Sequence, residues 1–249
     1  MLLPAADDPL LLPVAGVAFV ATLVRSAFGF GEALVAVPLL ALVMPVRVAV
    51  PLATLLSVTV AGLILAQDWR HVHARSAWFL VLPTLPGIPL GLFVLTGVHP
   101  PLVKGAMAVV IIAFSGYCLF GRWKPHFPDD RHAWAFGLGA GVLGGAYGMN
   151  GPPLVVYGTL RRWPPEEFRA TLQGYFLPAS VLGMAGYWLA GLWVPPVTRY
   201  YVLSLPLTAA AILVGRWLNR RMDGRRFVRV VHAGLVLIGA TLLVQSVWR

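Results

Sequence analysis

Arg25 and Glu32 are the only charged residues in a stretch of 35, from 10 to 44, and a glycine pair lies between them: Arg25-Ser26-Ala27-Phe28-Gly29-Phe30-Gly31-Glu32. A second apolar stretch, 133–160, is broken in the same way by Gly144-Gly145-Ala146-Tyr147-Gly148-Met149-Asn150-Gly151-Pro152-Pro153. A helix does not run unbroken through Gly-Pro-Pro. At membrane depth, broken backbone is tolerated only inside protein or beside a water-filled cavity. After each break a short helix is expected, Ala33 to about Met44 and Pro152 to about Leu160. A helix start leaves backbone N–H groups unpaired and carries about half a positive charge. Two such starts aimed at one cavity form an anion site. Pro152 and Pro153 suit a first helical turn, and Asn150 or Gly151 suits the cap. Gly29, Gly31, Gly148 and Gly151 allow close backbone approach to a ligand. The competing reading is that these glycines only permit tight helix crossing.

A charge at the bilayer centre costs about 2.5–3.5 kcal/mol on insertion scales, so Arg25 and Glu32 must pair, face water or bind something. One reading is a mutual ion pair that stabilises the tip. The other makes Arg25 an anion ligand and Glu32 a proton-coupling group whose protonation gates binding. Thr54 and Ser57 on the next helix, with Thr171, Gln173 and Tyr175 on its counterpart and Tyr147 beside the second tip, are candidates to complete the substrate site. Residues of these types also serve as interhelical bonds worth about 0.6 kcal/mol each. His71 and His73 form an H-x-H pair in a basic loop without further ligands, which favours a solvated loop over a metal site. His232 is expected to pack against a polar neighbour. The sequence contains no P-loop, H-E-x-x-H or G-x-S-x-G motif, so no catalytic residues, metal or cofactor are expected.

These residues need a scaffold, and the composition says which kind. Of 249 residues 59% are hydrophobic and 11% charged, against roughly 25% charged in a soluble domain. Lipid must cover what a core cannot, so the fold class is an all-α polytopic membrane protein. The net charge of +10 sits in short loops, which fits topology-setting charge and not a nucleic-acid footprint. The single Cys118 excludes an intrachain disulfide. The start, MLLPAADDPLLL, lacks the basic region of a cleaved signal and reads as mature sequence. Six segments match the ~20 residues a span needs: 48–66, 77–97, 101–120, 170–190, 197–217 and 227–247. Trp69, Trp78, Trp123, Trp163, Trp193 and Trp248 fall near segment ends, as in an interfacial belt.

The chain repeats itself. Gly29–Pro38 lies over Gly148–Tyr157, Arg47 over Phe168, Gly62 over Gly183 and Gly91 over Gly215. This divides it into a first repeat (1–120), a linker (121–132) and a second repeat (133–249), each a broken segment followed by three spans. If both broken segments are re-entrant hairpins, the loop charges sort cleanly. One side holds Arg70, Arg75, Arg122, Lys124, Arg131, Arg161, Arg162, Arg169, Arg216, Arg220, Arg221, Arg225, Arg226 and Arg229; the other keeps Arg47, Lys104, Arg199 and Arg249. If both cross, the charges mix. The positive-inside rule favours hairpins, and three true spans per half then invert the second repeat relative to the first.

At these tips the sequence resembles the sulfite exporter TauE/SafE family. The resemblance rests on Gly29-Phe30-Gly31-Glu32-Ala33 leading to Pro38, on Gly148-Met149-Asn150-Gly151-Pro152-Pro153 leading to Tyr157, and on Pro86, Gly87 and Gly91. Glu32 and Ala33 stand where the family pattern has glycines. The resemblance implies export of a small anion across the bacterial inner membrane by a multi-pass protein. The expected function is therefore secondary transport by alternating access of sulfite, an organosulfonate or a related sulfur-containing or carboxylate anion. An inside-negative potential favours outward movement of a monoanion by about 2.3 kcal/mol per 100 mV. The alternatives are a non-transporting assembly or accessory protein and a cation- or proton-coupled carrier of another solute. The expected partners are the anion and the bilayer, not nucleic acid; protons and a homo-oligomer stay open.

Overall fold

A computed structural model describes residues 8–68, 74–121, 126–219 and 224–248. His71, His73, Trp69, Trp123, Arg70, Arg122, Lys124, Arg220, Arg221 and Arg249 lie outside the described residues, as do the side chains of Arg75, Arg169, Arg225 and Arg226.

Among the described residues the protein is all helical: α1 (Leu11–Phe28), α2 (Glu32–Val43), α3 (Val46–Asp68), α4 (Ala74–Gly97), α5 (Pro100–Phe120), α6 (Ala133–Tyr147), α7 (Gly151–Leu160), α8 (Pro165–Leu189), α9 (Pro195–Asn219) and α10 (Gly224–Val247). Both apolar stretches break where the glycines predict, and α2 and α7 each begin one residue earlier than expected. Of the six expected spans, α3, α4, α5, α9 and α10 are long and apolar enough to cross a membrane. α8 has 25 residues, but Glu166, Glu167, Arg169 and Gln173 dilute its first half. Leu12, Phe93, Leu213 and Leu237 are more than two-thirds exposed on the outside of the bundle, surface that suits lipid and not water.

Small residues set the closest packing. A Cβ placed on Gly137, Gly141 or Gly145 of α6 would fall 2.3, 2.5 or 2.2 Å from the carbonyl oxygens of Leu80, Thr84 and Ile88 on α4. The four-residue step on both sides means that the two helices run parallel in contact, backbone on backbone. α9 meets α1 in the same manner. Gly91 on α4 touches Val142, Gly145 and Ala146, while Gly215 on α9 touches Leu23, Ser26 and Ala27. The sequence reading lays Gly91 over Gly215, and the two triplets they meet stand in the register that lays Gly29 over Gly148. The largest interfaces join opposite halves of the chain: α4 with α6, α1 with α9, α5 with α10 and α3 with α8.

Contacts at the helix ends show how the broken segments turn. Phe127 N–H donates to the Leu160 carbonyl at 3.0 Å, Tyr157 donates to Asp130 at 2.6 Å, and Arg161 pairs with Asp130 at 3.3 Å. The start of α6 and the end of α7 therefore meet, and α6–α7 is a hairpin. At the opposite end, Arg47 at the start of α3 donates to Thr96 O at the end of α4 (2.7 Å). A cavity of about 430 Å³ is lined there by the ends of α2 and α10 and the start of α5. Asp8, just before α1, joins Arg199 (3.2 Å) and Tyr200 (3.0 Å) near the start of α9. α9 starts at this same end, because α8 finishes beside the last turns of α4 through Gly186 and Leu92. α1 thus enters and α2 leaves at one end, while α6 enters and α7 leaves at the other. The Leu10 N–H, the Tyr200 hydroxyl and the Arg199 guanidinium, in that order, hold the Asp8 carboxyl below its usual range.

Candidate functional site

The two tips line one cavity. Gly31, Glu32 and Ala33 face it from the first tip, Gly148, Asn150, Gly151 and Pro152 from the second, and Arg25, Ser57 and Phe176 close it. Ser57 is midway along α3 and Phe176 lies next to the midpoint of α8, so the cavity sits at mid-depth. The turns at the two tips demand glycine: Gly29 (φ 84°), Gly31 (φ 97°) and Gly148 (φ 65°) are left-handed, a conformation costing other residues about 1–2 kcal/mol.

Arg25 and Glu32 form an ion pair at 2.7 Å, with side chains only 3% and 1% exposed. Arg25 Nη1 also donates to Ser57 Oγ (3.0 Å) and Nη2 to Gln173 Oε1 (3.0 Å). The guanidinium lies 5.1 Å from the Phe176 ring centre. Ser57 Oγ and Thr22 Oγ1 bond the two Glu32 oxygens at 3.0 and 3.2 Å. Gln173 Nε2 donates to the Gly29 carbonyl, tying α8 to the first tip. Arg25 Nε is buried without a hydrogen-bond partner, so the cation has donor capacity to spare. The cavity holds about 20 Å³, room for roughly one water. Glu32 sits where an anion would meet Arg25.

The helix starts at the two tips are unequal. The first backbone bond into α2 runs from Val35 N–H to Gly31 O at 3.0 Å, which leaves the amides of Glu32, Ala33 and Leu34 to the cavity side. α7 opens with Gly151-Pro152-Pro153, and each proline deletes one of those donors. Its contribution is the dipole and the Asn150 side chain, which makes no bond to the helix it precedes and packs against Gly144.

The other sequence candidates lie off the cavity. Gly29 presents its carbonyl to Gln173. Thr54 bonds the Val50 carbonyl of its own helix at 2.9 Å and packs beneath Gly148. Tyr175 is paired with Thr84 at 2.7 Å, Tyr147 is buried in the core, and Thr171 is buried with an unpartnered hydroxyl. Sequence reasoning missed Thr22, Phe176, Phe30, Phe114 and Ser180. Helical spacing was the available signal for two of them: Thr22 precedes Arg25 by three residues, and Phe176 follows Gln173 by three. His232 meets Ser115 at 3.3 Å, the polar neighbour expected of it.

The glycine-rich tips with their short helices, facing each other across this cavity, are the segments that carry the family resemblance, and the sequence matches the family described as sulfite exporter TauE/SafE over residues 14–242. The chain belongs to the sulfite exporter TauE/SafE family. Its matched region takes in both tips and helices α2 to α9 whole, so this is a multi-pass membrane protein of a transporter family. A relative from Cupriavidus necator, described as a probable sulfite/organosulfonate exporter TauE, is 25% identical over 256 residues and is matched across 96% of each chain. No solved structure matches.

Proposed function

We propose that this TauE/SafE member is a secondary transporter that exports a small anion, sulfite or an organosulfonate, across the bacterial inner membrane by alternating access. The observation that carries the reading is the shared mid-depth cavity, where both broken segments meet around a buried arginine with an unpaired Nε. In the closed state Glu32 occupies the guanidinium. In the loaded state the anion takes that place, held by Arg25, the free amides at the start of α2 and the Asn150 amide. A cavity of about 20 Å³ must widen for this, and α1–α2 and α6–α7 enter from opposite ends, so separating them opens it toward one face at a time.

Residues 1–120 and 133–249 act as two inverted repeats joined by 121–132. The exchange of Gly91 with Gly215 and of their contact triplets supports that symmetry. Arg131, Arg161, Arg162, Arg216 and Arg229 gather at the end where α6 enters, and Arg47, Lys104 and Arg199 at the other, and the positive-inside rule supports a cytoplasmic position for the first group.

The test is flux. Purified protein in liposomes is expected to move sulfite or methanesulfonate down a gradient, and Arg25→Gln to abolish it. An accessory protein gives no flux above protein-free liposomes, and a cation carrier gives flux that monovalent cations inhibit.

A further inference from the structure

Among the described residues lining the cavity, one side chain is positive and one negative, Arg25 and Glu32. The empty site is therefore neutral. An anion that enters beside an ionised Glu32 leaves two negative groups against one guanidinium, whose side chain and that of Glu32 are only 3% and 1% exposed, the uncompensated charge that such interiors reject. We infer that the anion enters with one proton, carried on Glu32, so that the transported species is a monovalent anion and a proton in equal numbers. This deepens the transport reading above and rests on it.

The groups around Glu32 suit both protonation states. Its oxygens are met by the hydroxyls of Thr22 and Ser57 at 3.2 and 3.0 Å. A hydroxyl rotates to donate to a carboxylate or to accept from a carboxylic acid, so the proton is accommodated without moving a helix. Ser57 Oγ also receives Arg25 Nη1 at 3.0 Å. Protonation therefore loosens the 2.7 Å Arg25–Glu32 pair while both partners keep Ser57. The proton binds the Glu32 carboxylate on one side of the membrane as the anion takes Arg25, and both leave on the other side, restoring the ion pair. Loaded and empty forms are both neutral, and both reorient without moving net charge. A dianion needs a second proton or a second cation, and the lining supplies neither.

The titratable and charged neighbours are few. On the helices packed against α2, α1 presents Arg25, α3 presents the neutral Ser57, and α5 carries Tyr117 and Cys118 one turn beyond Phe114. α10 presents His232, which borders an adjoining cavity with Gly31 and Leu34. The Phe114 ring lies edge-on to His232 at 5.6 Å and itself lines the Arg25–Glu32 cavity. Arg47, Lys104 and Arg229 lie toward helix ends. His232 is the rival proton carrier and belongs in the test.

The probe is methanesulfonate, a monoanion throughout the working pH range, in proteoliposomes with an entrapped pH dye. Wild-type protein is expected to move one proton per anion, to ignore a 100 mV potassium–valinomycin potential, and not to move sulfate. Glu32→Gln is expected to lose proton flux and become potential-sensitive, its equilibrium distribution shifting up to about 50-fold per 100 mV. His232→Gln is expected to keep the wild-type stoichiometry. Methanesulfonate flux without protons, sulfate flux at a similar rate, or coupling lost in His232→Gln and kept in Glu32→Gln overturns the inference. These wild-type measurements decide even if Glu32→Gln does not fold. Absence of flux with both methanesulfonate and sulfite overturns the transport reading itself, a separate result.

Discussion

Arg25 is held from three helices besides its own: by Glu32 on α2, Ser57 on α3 and Gln173 on α8. Gln173 has a second duty, because its amide also donates to the Gly29 carbonyl. Gln173→Leu strands a guanidinium N–H and a tip carbonyl, each unsatisfied group costing about 1–3 kcal/mol, so a clear drop in Tm by thermal unfolding is expected. Thr54→Val removes a bond to its own helix and one to the Tyr187 hydroxyl of α8 but strands no charged group, and is expected to lower Tm less than Gln173→Leu. The sequence named both residues with equal weight. Side-chain type cannot tell a residue that holds the buried charge from one that serves the packing around it, since the difference lies in where its helix is rotated.

The pairing of α4 with α6 rests on glycine where α6 meets carbonyl oxygens. Gly141→Val places a Cβ 2.5 Å from Thr84 O, and the backbones must separate, at a cost of about 1–3 kcal/mol for overpacking. Gly62→Ala, with nothing within 4 Å of its new Cβ, is expected to be neutral or slightly stabilising. Thermal unfolding in detergent compares the two, and equal Tm values would count against close packing. Glycine thus has two jobs here. Gly137, Gly141 and Gly145 face α4, whereas Gly148 and Gly151 line the cavity. Both helix-crossing and ligand-approach readings of glycine were legible, and position decides between them: those within α6 turn toward α4, and those at the break open on the cavity.

For the whole molecule, the two ways of threading the broken segments differ in where Arg131 and Arg162 lie. Hairpins put both on one side, whereas full crossing separates them. In a Cys118→Ser background, Arg131→Cys and Arg162→Cys are expected to react with a membrane-impermeant maleimide only after permeabilisation. Thr96→Cys and Trp193→Cys are expected to react in intact cells. Labelling of Arg131→Cys and Arg162→Cys from opposite sides contradicts the hairpins. The contacts of Phe127 with Leu160 and of Asp8 with Arg199 argue for the hairpin result.

Residue order alone determined that the chain is helical and lipid-covered, that two segments break at glycine, and that a charged pair stands at the first break. Those properties follow from local composition, from the conformations glycine permits and from the cost of charge in hydrocarbon. The tertiary structure decided that both breaks open on one cavity, that Glu32 pairs with Arg25 there, and that Tyr147, Tyr175 and Thr54 serve the packing around it. The meeting of the two breaks depends on contacts between distant parts of the chain, such as Arg25 with Gln173, whose register comes from helix faces fitting together and has no signature in any single stretch of sequence.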